Sequence, residues 1–371
     1  MSILACAQKA PPEIAVGELV GNYKVERKLA EGGMGTVYVA NHILLPRRVA
    51  LKILRSELLR VESARSGLVT EACILESMHD PRVARLFDAG IMADGRPWLA
   101  MELIEGECLA DLLARKGKLM VSEVAPIVSA LVDALAAAHL AGYVHSDVKP
   151  ENVLLCTGDR GMTLKLVDWG IARSTAVGAQ AEATMAVGTP HYMAPEQVRG
   201  EIIDPRSDVY SLGVLAYELL TGAPPFVGDK ATELAAQHLT RQPQPIRERR
   251  PDVPPAIEAL VHKMLAKIRE ERPMLETVRA CFSLVTDAAL EAGSESEFDD
   301  FEVTIELPPA PPATAVLGAP MPEPVKSRWT PPTTPSAIAD HATLRLGRVV
   351  NSSGKPNASA GGVIPARARA G

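Results

Sequence analysis

From Tyr23 onward the hydrophobic positions first fall in short β-favouring runs. Tyr23-Lys24-Val25, Thr36-Val37-Tyr38-Val39 and Arg48-Val49-Ala50-Leu51-Lys52 read as strands of an antiparallel sheet, with Val83 to Ala89 and Trp98 to Leu103 as two more. One helical stretch interrupts them, Ser66 to Met78, with Leu68, Ala72 and Leu75 at core-facing spacing. Near residue 105 the pattern changes. Leu109 to Arg115, Val121 to Ala141 and the run from Asp208 through Leu219 predict helices. The pattern therefore predicts an α+β protein: a small antiparallel β-sheet lobe with one main helix (about 21–104), then a larger mainly α-helical lobe (about 105–286). Residues 1–20, with Pro11-Pro12 and little periodicity, read as a flexible lead-in.

After residue 286 the character shifts again. Residues 287–306 hold eight acidic side chains and no Lys or Arg, residues 307–336 hold ten prolines, and from 307 on there are seven basic and two acidic residues. Such a stretch lacks the apolar content to bury a core, so 287–371 is expected to be a disordered acidic, then Pro-rich and basic tail. It reads either as an inert linker or as a docking or autophosphorylation segment around Thr330, Thr333, Thr334 and Ser336, with a polyproline-binding partner as the third option.

A formal charge of −6 and pI near 5.8 argue against a general nucleic-acid or anionic-membrane binder. The five cysteines are scattered without CxxC spacing, which points to free thiols in a reducing cytoplasm and away from zinc. The most apolar stretch, Val124 to Leu140, carries Pro126, Asp133 and His139 and reads as a core helix, so the expectation is a cytoplasmic protein without a membrane anchor.

The chemistry gathers in His145-Ser146-Asp147-Val148-Lys149-Pro150-Glu151-Asn152 and, sixteen residues beyond Asn152, Asp168-Trp169-Gly170. These types suit metal-assisted phosphoryl transfer: one carboxylate accepts the proton of an attacking hydroxyl, an amide and a second carboxylate offer hard oxygen ligands, and an ammonium neutralises a phosphate oxygen. Upstream, Ala30-Glu31-Gly32-Gly33-Met34-Gly35 forms a turn that lets backbone N–H groups approach phosphates. Alone it is a common hairpin. Lys52, seventeen residues after Gly35, strengthens it, and Glu71 on the predicted helix is its candidate partner; Glu62 and Glu76 compete, but Glu76 lies about 140° away from Glu71 around the helix.

These motifs resemble the protein kinases. Gly188-Thr189-Pro190-His191-Tyr192-Met193-Ala194-Pro195-Glu196, Asp208 and Glu271-Arg272-Pro273 extend the likeness over roughly residues 21–285, and Gly32-Gly33-Met34-Gly35 with Ala194-Pro195-Glu196-Gln197 looks most like the bacterial serine/threonine kinases of eukaryotic type. The resemblance implies the two-lobed protein kinase fold and transfer of the ATP γ-phosphoryl group to Ser or Thr hydroxyls of proteins, with Mg²⁺, or Mn²⁺ in its place. It assigns catalysis to Asp147, Lys149 and Lys52, and metal binding to Asn152 and Asp168. Nucleotide contacts fall to Ala30, Glu31, Gly32, Gly33, Met34, Gly35, Val37, Ala50, Lys52, Glu71, Met101, Glu102, Ile104 and Leu154. Met101 guards the back pocket, Glu102 and Ile104 offer backbone groups, His145 is a packing residue, Asp208 steadies the catalytic loop and Arg272 pairs with Glu196. Kinases of this type self-associate, so a homodimer belongs to the expectation.

Three positions depart from the pattern. Ser146 stands where the family carries Arg, and serine cannot make the charge-assisted bidentate contact to an activation-loop phosphate. The expected consequence is a kinase whose active shape depends weakly on that phosphate, the candidate acceptors being Ser174, Thr175 and Thr184; autophosphorylation is a separate expectation from the resemblance. Trp169 replaces Phe and keeps an aromatic body, and Ala30 replaces the first glycine of the phosphate loop. The readings that compete with an active kinase are a catalytically weak kinase-like scaffold and a small-molecule phosphotransferase; retention of Lys52, Asp147, Asn152 and Asp168 counts against the first and the Gly188–Glu196 segment against the second.

Overall fold

The structure, a computed structural model, describes residues 14–158, 161–170, 172–174 and 190–292. The small lobe is a six-stranded sheet in the order β1-β2-β3-β4-β6-β5, antiparallel throughout. Its strands are β1 (Leu19–Val20), β2 (Tyr23–Glu31), β3 (Gly35–His42), β4 (Arg48–Leu54), β5 (Leu86–Ile91) and β6 (Pro97–Glu102), and its single α-helix, α1, spans Glu62–Ser77. Alternation decides what each face covers. On one face Tyr23, Val25, Tyr38, Ala40, Val49, Leu51, Ile53, Trp98 and Ala100 form a core, while Leu54 and Leu99 meet Ala64 and Leu68 of α1 in another.

The large lobe carries β7 (Glu107–Cys108), α2 (Leu109–Lys116), α3 (Val121–Leu140), β8 (Tyr143–Val144), β9 (Val153–Gly158), β10 (Gly161–Leu166) and β11 (Arg173–Ser174). It continues with α4 (Pro195–Arg199), α5 (Pro205–Thr221), α6 (Ala231–Thr240), α7 (Ile246–Arg249), α8 (Pro255–Met264) and α9 (Leu275–Ala292). Helix α5 is its axis. Asp204 caps it by accepting the Arg206 N–H at 2.8 Å, Pro205 occupies the first turn, and Gly222 ends it at φ 84°, where an added Cβ would lie 2.4 Å from the Gly117 carbonyl. Nearly every residue of α5 is buried, so it packs on all sides, against α3 and α8 among others. Among the described residues α3 is the one helix long and apolar enough to cross a membrane; here half of its apolar window is buried, with Val128, Leu131 and Leu135 fully inside the large-lobe core.

Four boundaries differ from expectation. The lead-in read as flexible through residue 20 joins the fold from Ile14, which is buried with Val20 against the sheet, and β1 pairs with β2. The strand read from Val83 starts at Leu86, because Val83 instead pairs in parallel with Leu166 of the large lobe. Helix α1 begins at Glu62 rather than Ser66, and the Ser66 hydroxyl bonds back to the Glu62 carbonyl at 2.9 Å. Finally, α9 runs to Ala292, past the expected end at 286, through an Ala-, Leu- and Glu-rich stretch of good helix formers. Residues 1–13 of the lead-in, Thr175, Thr184, Gly188 and Thr189, and the tail beyond 292 lie outside the described residues.

Candidate active site

Between the lobes lies a chain of charges. The Lys52 ammonium, held on β4, donates to both carboxylate oxygens of Glu71 on α1 (2.9 and 2.8 Å) and to Asp168 Oδ1 at 2.7 Å. Lys52 and Glu71 are both buried; Glu62 and Glu76, the alternatives, are exposed. Burial alone would push the Lys52 pKa down, but Glu71 and Asp168 outweigh it and raise it, so the ammonium is permanently charged. Burial raises the Glu71 carboxyl, with Lys52 opposing. For Asp168 burial is also the largest influence, yet Lys52 overcomes it, and the carboxyl stays below the usual range and ionised.

The second cluster is built on the loop after β8. Asp147 Oδ2 accepts from Lys149 Nζ at 2.6 Å and from Asn152 Nδ2 at 3.0 Å, and the Asn152 amide also donates to the Asp147 carbonyl at 2.8 Å. Three residues are thereby locked into one geometry. The two clusters adjoin, since the Lys149 charge contributes to lowering Asp168 and the Val167 N–H donates to the Asn152 carbonyl at 2.9 Å.

The loop is anchored from below by Asp208, which is fully buried on α5. Its carboxylate accepts the backbone N–H groups of His145 (2.9 Å) and Ser146 (2.8 Å), and His139 Nε2 lies 2.8 Å away. Ser146 is bent to φ 67°, the left-handed region that a side chain disfavours, and its carbonyl is held by the Gln197 side chain at 2.8 Å. Asp168 is the other described non-glycine residue at positive φ, 63°. Both strained residues thus sit at the site. His145 is buried; its Nε2 lies 3.2 Å from the Val167 carbonyl and its ring meets Trp169 edge-on at 4.4 Å. Burial lowers its pKa despite the surrounding aspartates, which keeps it neutral. Trp169 is fully buried and donates its Nε1–H to the Leu166 carbonyl at 3.3 Å.

The remaining sequence candidates lie on β2, β3, β4, β6 and β9 and on the turns beside them. Ala30 pairs with Val37 in ordinary β conformation, so the missing glycine carries no strain there. The turn Gly32-Gly33-Met34 closes with the Gly32 N–H on the Gly35 carbonyl at 2.9 Å, and Gly35 admits no side chain, because a Cβ would stand 2.8 Å from the Ile53 carbonyl. Glu31 is exposed and ion-paired to Lys28, 2.7 Å away. Val37, Met101, Ile104 and Leu154 are half-buried apolar groups and Ala50 is buried on β4, a combination that suits a flat apolar ligand. The Glu102 side chain is bound by Lys165 at 2.7 Å, and its N–H donates to the Arg85 carbonyl at 2.8 Å.

Some supports were not foreseen. Arg82 donates to Asp80 (2.8 and 2.7 Å) and to Asp133 of α3 (2.6 Å), tying the end of α1 to the large lobe. Lys165–Glu102, Gln197–Ser146 and His139–Asp208 belong with it. The anticipated Glu196–Arg272 pair is buried and bidentate at 2.7 and 2.8 Å, with the Ser207 hydroxyl on Glu196 at 2.6 Å.

As a metal site, Asn152 and Asp168 fit a hard cation. With its nitrogen fixed by Asp147, Asn152 turns its amide oxygen away from that carboxylate, and Asp168 is ionised and part exposed. Two such oxygens leave room for phosphate and water ligands, and among the described residues no group of three His, Cys, Asp or Glu forms a closed cage.

Comparison with known proteins agrees with this geometry. The family described as protein kinase domain matches residues 23–281. Relatives include the serine/threonine-protein kinase pkn3 of Myxococcus xanthus, 40% identical over 266 residues, which cover 70% of this chain and 49% of that protein. The serine/threonine-protein kinase PknB of Mycolicibacterium smegmatis is 37% identical over 259 residues (68% of this chain, 41% of the relative), and PknL of Mycobacterium tuberculosis is 41% identical over 244 residues (66% and 60%). The chain spans about half the length of these curated relatives.

Proposed function

The chain belongs to the protein kinase family, and from that premise we propose that it is an ATP-dependent protein kinase that transfers the γ-phosphoryl group to Ser or Thr hydroxyls of protein substrates. The observation that carries the proposal is the shared Lys52 ammonium, bonded at once to Glu71 and Asp168. Burying the Lys52–Glu71 pair is expensive, and the part-exposed Asp168 beside it gives that charge a function to serve.

In this reading the half-buried apolar wall holds the adenine and the glycine turn lies over the phosphates. Lys52, oriented by Glu71, neutralises phosphate oxygens. Asp147, fixed by Lys149 and Asn152, positions the attacking hydroxyl and accepts its proton, while Lys149 offsets charge on the transferred group. A divalent cation at Asn152 and Asp168, Mg²⁺ or Mn²⁺, would supply further neutralisation. Positioning and fixed charge do most of the work in phosphoryl transfer, and both are what these contacts provide. The test is incorporation of radiolabelled phosphate from ATP into a generic basic protein, comparing wild type with Asp147→Asn and Lys52→Met. Transfer no greater than in those variants would favour the scaffold reading.

The proposal has finer parts. Activity depends weakly on activation-loop phosphorylation, a reading supported by Ser146, whose side chain offers no cation to a loop phosphate; a loss of orders of magnitude in Thr184→Ala would refute it. The kinase autophosphorylates, with Thr330, Thr333, Thr334 and Ser336 as tail candidates, and an unmodified tail in intact-mass and peptide mapping after incubation with ATP would remove that part. It works in the cytoplasm, which supplies ATP and keeps thiols reduced. Self-association and a partner for the Pro-rich stretch complete the proposal, to be checked by sedimentation of the full chain and by binding to polyproline-recognition domains.

A further inference from the structure

Away from the cleft, on the far side of α5, one lysine is surrounded in an unusual way. Lys267 follows α8. Its ammonium lies 4.3 Å from the centre of the Phe226 ring and 5.5 Å from that of Tyr210, and it donates to the Tyr210 hydroxyl at 3.2 Å. That hydroxyl in turn lies 2.9 Å from His238 Nδ1 on α6. Arg272 stacks on the same Tyr210 ring at 5.0 Å and carries the bidentate contact to Glu196. Lys267 therefore stands beside the buried pair that holds the end of the activation segment.

It also borders two openings. One, of about 240 Å³, places Arg199 and Arg269 among acidic neighbours. The other, of about 680 Å³, lies between α8 and the turn that follows it and holds His262, Lys263 and Gln242, with Glu271 as its carboxylate. The larger opening offers room for an added acyl group, with Lys263 as a cation for an anionic donor. Burial, with Arg272 adding like-charge repulsion, lowers the Lys267 pKa to about 8. Tyr210 is pushed up by burial and stays a neutral phenol, and burial holds His238 down at about 4, also neutral. No carboxylate makes an ion pair with Lys267 among the described residues.

We infer that Lys267 is a site of covalent N-acylation, its amine taking an acyl group from an anionic acyl phosphate or acyl thioester that enters the larger cavity. The nitrogen lone pair attacks the carbonyl carbon, an amide N–C bond forms, and the C–O or C–S bond breaks as phosphate or thiolate leaves with the electron pair. The amine proton passes to solvent. The product has lost the cation over Phe226 and beside Arg272, so the change reaches the Glu196–Arg272 pair directly.

At pH 8 about half of such an amine is free, against roughly one in 250 for an ordinary lysine. Weaker basicity lowers nucleophilicity, as it does for thiolates, and takes back about a tenfold share, leaving roughly a tenfold lead. The test treats the full chain with acetyl phosphate in one arm and acetyl-coenzyme A in the other, from pH 7 to 10, with peptide mass mapping over time. Exposed Lys263, one turn away and facing the same cavity, is the internal control. Acetyl-Lys267 should accumulate about tenfold faster than acetyl-Lys263 at pH 8, its rate levelling above pH 8 while that of Lys263 keeps rising. The arm with the larger lead identifies the donor class. Lys267→Arg, which keeps the cation over Phe226, should abolish the fast site without changing the thermal midpoint. Equal rates at the two lysines in both arms, or a Lys267 profile still climbing at pH 10, would overturn the inference.

Discussion

Replacing Arg272 with Ala isolates the large lobe's most completely buried ion pair. In the native protein the guanidinium makes two contacts to Glu196 and also donates to the Ala266 and Arg206 carbonyls, both at 2.9 Å. Glu196 is 2% exposed, and once Arg272 is gone its remaining side-chain partner is the Ser207 hydroxyl. Removing one member of a buried pair costs about 3–5 kcal/mol, because the other charge is left without compensation. For a domain of this size that is a fall of roughly 5–9 °C in thermal midpoint. The pairing also sets a pH signature. Burial raises the Glu196 carboxyl, Arg272 more than cancels that, and the folded pKa ends below the ordinary value. A depressed carboxyl contributes stability above its unfolded pKa, near 4.3, and loses it as pH falls through the folded value. The unpaired carboxyl of Arg272→Ala has the opposite sign and gains relative stability on protonation. The gap between the two proteins, measured by urea unfolding at pH 7.5 and at pH 4.5, should narrow at the lower pH. A second variant, Arg272→Met with Glu196→Gln, should recover more than half of the loss by removing the stranded charge. A loss under about 1 kcal/mol in the single variant, or a double variant no better than the single, would refute this account of the pair.

Three further outcomes are expected. Asp208→Asn keeps one acceptor but turns an amide N–H₂ toward the loop's backbone donors, so phosphoryl transfer should fall about a hundredfold in kcat, with stability down by about 2–3 kcal/mol in denaturant unfolding. Ser146→Gly relieves a side chain at φ 67° and should raise stability by about 0.5–1 kcal/mol, while Ser146→Val, β-branched, should lower it; equal midpoints for the two would remove the strain argument. Trp169→Phe leaves the Leu166 carbonyl without the indole donor and opens a gap beside His145, which should cost about 1–3 kcal/mol while leaving the metal dependence of nucleotide binding, followed by calorimetry, unchanged.

The site was more legible in the sequence than its supports. Lys52, Asp147, Asn152 and Asp168 carry chemistry that is rare in combination, so order and spacing sufficed to pick them out. Glu71 could be chosen over Glu76 because helical period separates their faces. The struts carry no such mark. Arg82, Lys165, His139 and Gln197 are ordinary polar residues until folding brings Asp133, Glu102, Asp208 and the Ser146 carbonyl to them. The boundaries were missed for a related reason. Ile14 and Val20 lack a periodic run and are recruited by the sheet they pack on, Val83 is claimed by Leu166 across the lobes, and Ala288 to Ala292 extend α9 on intrinsic propensity within an acidic setting.

Arg82 has a mechanical consequence. It fixes the C-terminal end of α1 to α3, and its own carbonyl accepts the Leu166 N–H at 2.7 Å, while Lys165 fixes Glu102 at the second crossing between lobes. Two pinned points define an axle. Opening the cleft is then a rotation of the sheet and α1 about it, with α1 as the lever. Glu71 stands six residues from the pinned end at Ser77, about 9 Å along the helix at 1.5 Å per residue, so a turn of about 10° carries its carboxylate some ~1.6 Å. Lys52 rides on the same sheet and moves with Glu71, so a displacement of that size is enough to break its 2.7 Å contact with Asp168 of the large lobe, which places coupling between nucleotide exchange and charge alignment in the length of a helix.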